Sequence, residues 1–310
     1  MRGSPKGEIR LGGIQNTWAN RVSDKGMLYL FLLPTFILLL FLVIFPLIWS
    51  LYLSFCNYSA NTANPPVFVG IKNFSFIFQQ KEVWDRFVVT GKFVAMAVIV
   101  EFFLGFFIAM LLNREFYGKG VLTTLFILPM MFSPAVIGKF FRFMMDANWG
   151  IINYILGKLF GIPKIAWTTS YEYALPSIVI ADAWIWTPFI VLLSLAGLSS
   201  VPKYLYEAAD VDRASGWFKF RYITLPYVAP ILLLAVLFRT MDAFRFFDLV
   251  YVLTDGGPGY STQTIPFYIY KLAFSYWHTG RSCALAYILL IIIIALSNIY
   301  ITYLNRLRRT

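Results

Sequence analysis

Six apolar runs, each long enough to cross a lipid bilayer, limit what this chain can become: residues 28–55, 87–112, 121–145, 175–198, 227–253 and 283–304. A membrane-crossing helix needs about 20 predominantly apolar residues. Lipid offers the backbone no water, so such runs must close their hydrogen bonds internally, as helices. The pattern predicts an all-α polytopic membrane bundle of six transmembrane helices. It divides into a leader at 1–27, a transmembrane domain at 28–305 and a tail at 306–310. The first run is too long for a signal-peptide core and lacks a small-x-small cleavage site, so it is expected to be retained.

Composition agrees. Hydrophobic residues make up 59% of the chain and charged ones 13%, against about 45–50% and about 25% in soluble domains. The net charge of +11 reads as positive-inside bias rather than nucleic-acid binding, since no Lys/Arg cluster interleaves with a soluble fold. Aromatic content of 19% suits interfacial belts, with sugar-stacking platforms as the sharper alternative. Two cysteines, Cys56 and Cys283, and one histidine, His278, cannot build a metal set. Two buried small side chains is the plainer reading of the cysteines, and a disulfide is the other.

Orientation follows the basic residues. Arg2, Lys6, Arg10, Arg21 and Lys25, then Arg114 and Lys119, then Lys203, Arg213, Lys219 and Arg221, then Arg306, Arg308 and Arg309 fall on one side of six spans. That side is expected to be the cytoplasm, with both termini inside. Fewer cations, in longer loops, fall on the other side, among them Arg86, Lys139 and Arg142. Prolines at 34, 46, 129, 134, 188 and 230 interrupt the spans, each removing a helix hydrogen bond.

The fifth run carries Arg239, Asp242, Arg245 and Asp248 at intervals of three, so consecutive members are helical neighbours able to pair. Arg239 lies about 18 Å into the run, near mid-membrane. An unpaired charge there costs about 2.5–3.5 kcal/mol on insertion scales, so these side chains must face protein or water. Glu101 in the second run and Asp182 in the fourth are lone carboxylates in apolar surroundings, and are plausible partners for Arg239 or Arg245. One reading is a polar translocation path through Glu101, Asp182, Arg239, Asp242 and Arg245. Another is internal ion pairing that locks the bundle. A proton-coupled secondary transporter using Glu101 and Asp182 is the rival function.

The chain contains no His-Glu-x-x-His, no Gly-x-Ser-x-Gly and no Gly-x-x-x-x-Gly-Lys-Ser/Thr loop. It is therefore expected to be non-catalytic and to bind no ATP in the manner of a P-loop protein. A membrane-embedded lipid or sugar transferase is a third alternative. Between the fourth and fifth runs, residues 199–226 read as two short helices. Pro202 sits where a first helical turn tolerates it. Ala208 and Ala209 offer a small face for docking, and Glu207 and Asp212 add charges for a basic partner surface. Pro226 is expected to close the segment before the next span. An ordinary interfacial helix is the plain alternative.

Trp186-Thr187-Pro188-Phe189, the run Leu192 to Leu198, Val201-Pro202, Leu205-Tyr206-Glu207-Ala208-Ala209, Asp212 and Ile223-x-Leu225-Pro226 together resemble a known pattern. It is that of permease subunits of bacterial binding-protein-dependent sugar ABC importers, of the maltose and glycerol-phosphate type, alginate-oligosaccharide importers included. Phe68 to Phe74, Phe247-Asp248, Leu253-Thr254-Asp255-Gly256-Gly257-Pro258 and Ala284-Leu285-Ala286 extend the resemblance over roughly residues 28–305. It implies a multi-pass protein of the bacterial inner membrane that carries a carbohydrate by alternating access. A cytoplasmic EAA coupling loop at 199–226 would grip the ATPase through Tyr206, Glu207, Ala208, Ala209, Asp210, Asp212, Arg213, Gly216, Leu225 and Pro226. A periplasmic solute-binding protein would dock at outward loops, Asp255, Gly256, Gly257 and Pro258 among them. The implied assembly adds a second homologous permease and two cytoplasmic ATPases, which bind the ATP and Mg, within membrane lipid. No cofactor or metal falls to this chain, and nucleic acid has no place in it. One position departs from the pattern: the usual glycine six residues after the Glu is Arg213, with Gly216 three residues later as a candidate substitute.

Overall fold

A computed structural model of the protein describes residues 24–307. Most of the leader, including Arg2, Lys6, Arg10 and Arg21, and the last residues, with Arg308 and Arg309, lie outside them. The described residues fall into two compact units that meet in sequence between Tyr52 and Leu53. The first unit is helical: α1 (Asp24–Leu39), a π turn (Leu40–Ile44) and the start of α2 (Phe45–Ser54). The wider turn precedes Pro46, where a missing N–H and the ring's bulk would otherwise break an α-helix.

The second unit begins at the end of α2. It contains a short antiparallel pair, β1 (Cys56–Asn57) with β2 (Val67–Phe68), in register Cys56 opposite Phe68. The helices α3 (Lys72–Gln79), α4 (Lys81–Leu112), α5 (Lys119–Ile127), α6 (Pro134–Met144) and α7 (Ile151–Phe160) follow. Then come α8 (Ala174–Ser199), α9 (Lys203–Val211), α10 (Gly216–Lys219), α11 (Leu225–Ala243), α12 (Ile265–Tyr270) and α13 (Thr279–Leu307).

Among the described residues, five helices are long and apolar enough to cross a membrane, and six if the bent pair α5–α6 counts as one span. The third predicted run is therefore not one straight helix. It bends by 98° between Met131 and Pro134. Pro129 opens a 3₁₀ turn over Leu128–Met131, and Ser133, placed before Pro134, is driven to extended backbone at φ −64 and ψ 133. The fifth run also ends early. Helix α11 stops at Ala243, and a turn at Phe244–Arg245 separates it from a π turn at Val250–Thr254. Helix α4 starts before its apolar run because Lys81 and Glu82 are good surface helix formers, with Glu82 suited to the N-terminal dipole.

The core forms where α4, α8 and α11 meet, and small residues let them approach. A Cβ built on Gly105 would lie 2.7 Å from Cβ of Ile190, and one on Gly197 would lie 2.9 Å from Val228. Phe93, Val94, Ala97, Ile178, Ala181 and Ile185 fill the adjoining layer with Leu249 and Val250. Polar side chains pin the connections. Asn73 donates to the carbonyls of Ser54 and Cys56, both at 2.9 Å. Asn153 donates to Ile165 O at 2.9 Å and accepts from the Trp167 indole at 2.9 Å, holding the 146–174 loop. Cys56 is buried, Cys283 is half-buried and both are free thiols, which removes the disulfide alternative.

The Gly105 contact is testable. Overpacking a tight helix contact costs about 1–3 kcal/mol. Gly105→Val should lower the thermal midpoint of the detergent-purified protein, and Ile190→Ala added to it should restore part of the loss. An unchanged midpoint for Gly105→Val would show that the two helices do not approach here.

Candidate functional site

Three helices bring one charged group each to a common point. Glu101 comes from α4, Asp182 from α8 and Arg239 from α11, with side chains 0%, 0% and 1% exposed. Alanines clear the space: Ala97 lies one turn before Glu101, Ala181 and Ala183 flank Asp182, and Ala235 and Ala243 sit one turn either side of Arg239. The Arg239 guanidinium forks onto Glu101, with Nε donating to Oε2 at 2.5 Å and Nη2 to Oε1 at 2.9 Å. Nη2 also donates to Asp182 Oδ2. The Trp186 ring lies 5.3 Å from the guanidinium carbon. A planar two-pronged ion pair is the strongest arrangement open to arginine and carboxylate, and burial raises the cost of losing either side.

The cluster grades from closed to open. Asp242 lies 3.4 Å from Arg239 Nη1 and its side chain is 37% exposed. Arg245, 3.5 Å from Asp242, is 66% exposed. Asp248 has no ion pair among the described residues, because α11 has already ended and the helical interval of three no longer holds. The five candidate path residues are thus brought together, with three sealed inside this chain and two at its edge.

The 199–226 segment forms a second site. Helix α9 ends in a left-handed cap: Arg213 takes φ +53, its N–H donates to Asp210 O at 3.1 Å, and Ala214 N–H donates to Ala209 O at 2.8 Å. This is the hydrogen-bond pattern that normally selects glycine at the position after the helix cap. Gly216 does not take over that role; it begins α10, behind the Ser215 side chain that caps Phe218 N–H at 3.2 Å. Tyr206 OH bonds Thr224 Oγ1 at 2.8 Å and Asp210 pairs with Lys219, so both arms are clamped. Leu205, Ala208, Ala209, Asp212, Phe218 and Ile223 line a groove of about 480 Å3 between them. Ala209 is buried against the chain, whereas Ala208, Glu207 and Asp212 are exposed.

Pro226 does not close this segment as expected. Helix α10, a π turn at Phe220–Thr224 and α11 run on continuously from Gly216 to Ala243. Pro226 lies in the first turn of α11, and the π turn, in which Leu225 N–H donates to Phe220 O, accommodates its missing donor.

The third site is the turn at 254–259. Asp255, Gly256 and Gly259 all take positive φ, and Gly257–Pro258 is a cis peptide. Thr262 Oγ1 donates to Gly257 O at 2.7 Å. Gly256 is buried, and a Cβ there would meet Phe267 at 2.5 Å; Asp255 is exposed. Charge counting treats Arg86 as an outer-loop cation, but it is buried here, with Nε on Gln263 Oε1 at 2.8 Å and its carbon 3.9 Å from the Tyr268 ring. It ties the segment after the turn to α4. The signal available in sequence is Val83 three residues before Arg86 and Thr90 four after it, which share its helix face and are buried with it.

Comparison with known proteins gives the family and the fold. The family described as binding-protein-dependent transport system inner membrane component matches residues 101–309. The probable ABC transporter permease protein y4oQ of Sinorhizobium fredii is 35% identical over 268 residues, 86% of each chain. The trehalose/maltose transport system permease protein MalF of Thermococcus litoralis is 34% identical, over 91% of this chain and 94% of its own length. Among solved structures, a bacterial ABC transporter involved in the import of the acidic polysaccharide alginate superposes with a TM-score of 0.79. It is 20% identical, covering 93% of this chain and 98% of that one, and so shares the fold. These relatives give no support to the proton-coupled alternative.

Two tests follow. Arg239→Leu leaves two buried carboxylates without their cation, and breaking such a pair costs about 3–5 kcal/mol. It should be poorly recovered from membranes, while Arg239→Leu with Glu101→Leu and Asp182→Leu should be recovered near normally; full recovery of the single variant would refute a bracing role. At the α9 cap, a non-glycine residue in left-handed backbone costs about 1–2 kcal/mol. Arg213→Gly should therefore raise the thermal midpoint and Arg213→Val should lower it.

Proposed function

This chain belongs to the family of inner membrane components of binding-protein-dependent transport systems, and from that premise we propose that it is a permease subunit of an ATP-driven carbohydrate importer. Its relatives include permeases named for trehalose and maltose and for sulfoquinovosyl glycerol, which supports a sugar or oligosaccharide as cargo. In this reading the chain is non-catalytic and carries no cofactor. Two cytoplasmic ATPases bind ATP and Mg, a second homologous permease completes the membrane path, and a periplasmic solute-binding protein delivers the sugar. Both termini lie in the cytoplasm.

The observation that carries the reading is the clamped 203–224 hairpin. Tyr206 and Asp210 are used up internally, whereas Glu207 and Asp212 have no side-chain partner among the described residues and project from a helix with small, exposed Ala208 beside them. A rigid helix edged with unpaired carboxylates suits a basic cleft on an ATPase. Leu225 and Pro226 start the helix that carries displacement at this hairpin into the bundle. Asp255, an exposed member of the 254–259 turn, forms with Pro258 the docking edge for the binding protein; Gly256 and Gly257 shape the turn. Arg239, Glu101 and Asp182 brace the bundle, and Asp242 and Arg245 face the path.

Glu207→Lys puts like charge against like at the docking rim, a juxtaposition that costs several kcal/mol. The variant should insert normally and retain binding-protein capture, yet lose ATPase pull-down or substrate-stimulated ATP hydrolysis in vesicles. Full coupling by Glu207→Lys would remove the hairpin from the mechanism.

A further inference from the structure

A cleft of about 640 Å3 opens between α6 and the π turn at Val250–Thr254, on the side expected to face outward. Lys139, Arg142, Asp146, Trp149, Tyr251 and Asp255 line it. We propose that this cleft is a subsite for a neutral glycosyl unit at the mouth of the path; the proposal rests on the importer reading and names the class of sugar.

The cleft is built, not incidental. Gly138 lets α6 close on the π turn, since a Cβ there would lie 3.1 Å from Leu249 and from Val252. Arg142 Nη1 donates to Val252 O at 3.2 Å, fixing α6 beside Tyr251. Asp146 Oδ1 accepts from the N–H groups of Asn148 at 2.8 Å and Trp149 at 3.2 Å, which sets the turn presenting the Trp149 ring. That ring is 65% exposed and rests on Phe143 with centroids 5.7 Å apart. Tyr251 is 44% exposed and is backed by Phe247 at 5.4 Å and Tyr270 at 5.5 Å.

Chemistry selects the ligand. None of the four charged groups has an ion pair among the described residues. Arg142 and Asp146 keep one backbone partner each for Nη1 and Oδ1, but an apolar occupant would desolvate their remaining polar atoms and the heads of Lys139 and Asp255 without replacing the lost water. Two cations set against two carboxylates leave no net charge, so a uronate would meet Asp146 and Asp255 as well as Lys139 and Arg142. A neutral sugar meets no such conflict: its hydroxyls donate to the carboxylates and accept from the cations, and its ring faces lie on Trp149 and Tyr251. Aromatic residues of an ordinary interfacial belt need no such ring of unpaired charges around them.

The test uses the complete transporter, with its partner permease, ATPases and binding protein, reconstituted in liposomes and offered trehalose, maltotriose or trimannuronate. ATP-driven uptake of a neutral sugar should exceed that of trimannuronate. Trp149→Ala should cut neutral-sugar uptake roughly tenfold, the scale of one lost aromatic contact, with binding-protein capture unchanged. Asp146→Asn, which keeps the Oδ1 acceptor but makes the cleft net positive, should shift the uptake ratio toward trimannuronate. Uptake indifferent to Trp149→Ala, a wild-type preference for trimannuronate, or a ratio unmoved by Asp146→Asn each overturns the subsite. Absence of ATP-driven uptake for all three sugars overturns the importer reading itself.

Discussion

The packing of the second unit depends on one guanidinium. Arg239 can sit in the middle of a membrane helix only because Glu101 and Asp182 meet it from two other helices. Exchanging a buried ion pair for well-packed apolar side chains is often neutral or stabilising, so the triad is a poor device for adding stability. Its effect is on register. Sliding α11 by one residue against α4 or α8 would orphan three charges at once, and none could reach water. Hydrophobic packing alone would not penalise such a slip so sharply, because one apolar surface in lipid resembles another. The small residues around the triad, Gly105, Ala97, Ala181 and Ala235, belong to the same arrangement: they bring the backbones close enough for side chains to span the gap.

Irregular backbone appears where proline or special turns require it. The 98° bend between α5 and α6 follows from Pro129 and Pro134, five residues apart. The π turns before Pro46 and Pro226 widen the helix where a donor is missing, without ending it. The early end of α11 frees the chain after Arg239 to turn back, and so brings Tyr251 and Asp255 beside α6.

Some of this was legible in the sequence. Hydropathy is a local property, so the spans emerge directly from it. The triad was within reach by exclusion, since Glu101 and Asp182 are carboxylates in apolar context and Arg239 needed partners. What the sequence hid is long-range or geometric. The prolines of the third run were visible, but their bend angle is set by packing. Arg86 reads as a loop cation because its partner Gln263 lies 177 positions away. Arg213 looked like a departure that endangered the turn. The turn survives because two backbone hydrogen bonds to Asp210 and Ala209 hold the left-handed geometry against the preference of the side chain.

The continuity of α10, its π turn and α11 has a mechanical consequence. Gly216 to Ala243 is one helical body of 28 residues, about 42 Å long at helical rise. Its near end is clamped to α9 by Tyr206 and Asp210, and its far end holds Arg239 and Asp242. A push on the 203–224 hairpin therefore reaches the charge cluster without crossing a loop. Along that body, backbone hydrogen bonding departs from α at the π turn Phe220–Thr224, next to the clamp, and Pro230 removes a further donor inside α11. Both irregularities lie on the hairpin side of Arg239, so the stretch of α11 that carries the charges is regular helix. The Arg239 fork opposes sliding of that stretch against α4, and Asp242 beside it and Arg245 in the turn after α11 are the two members left partly open to solvent.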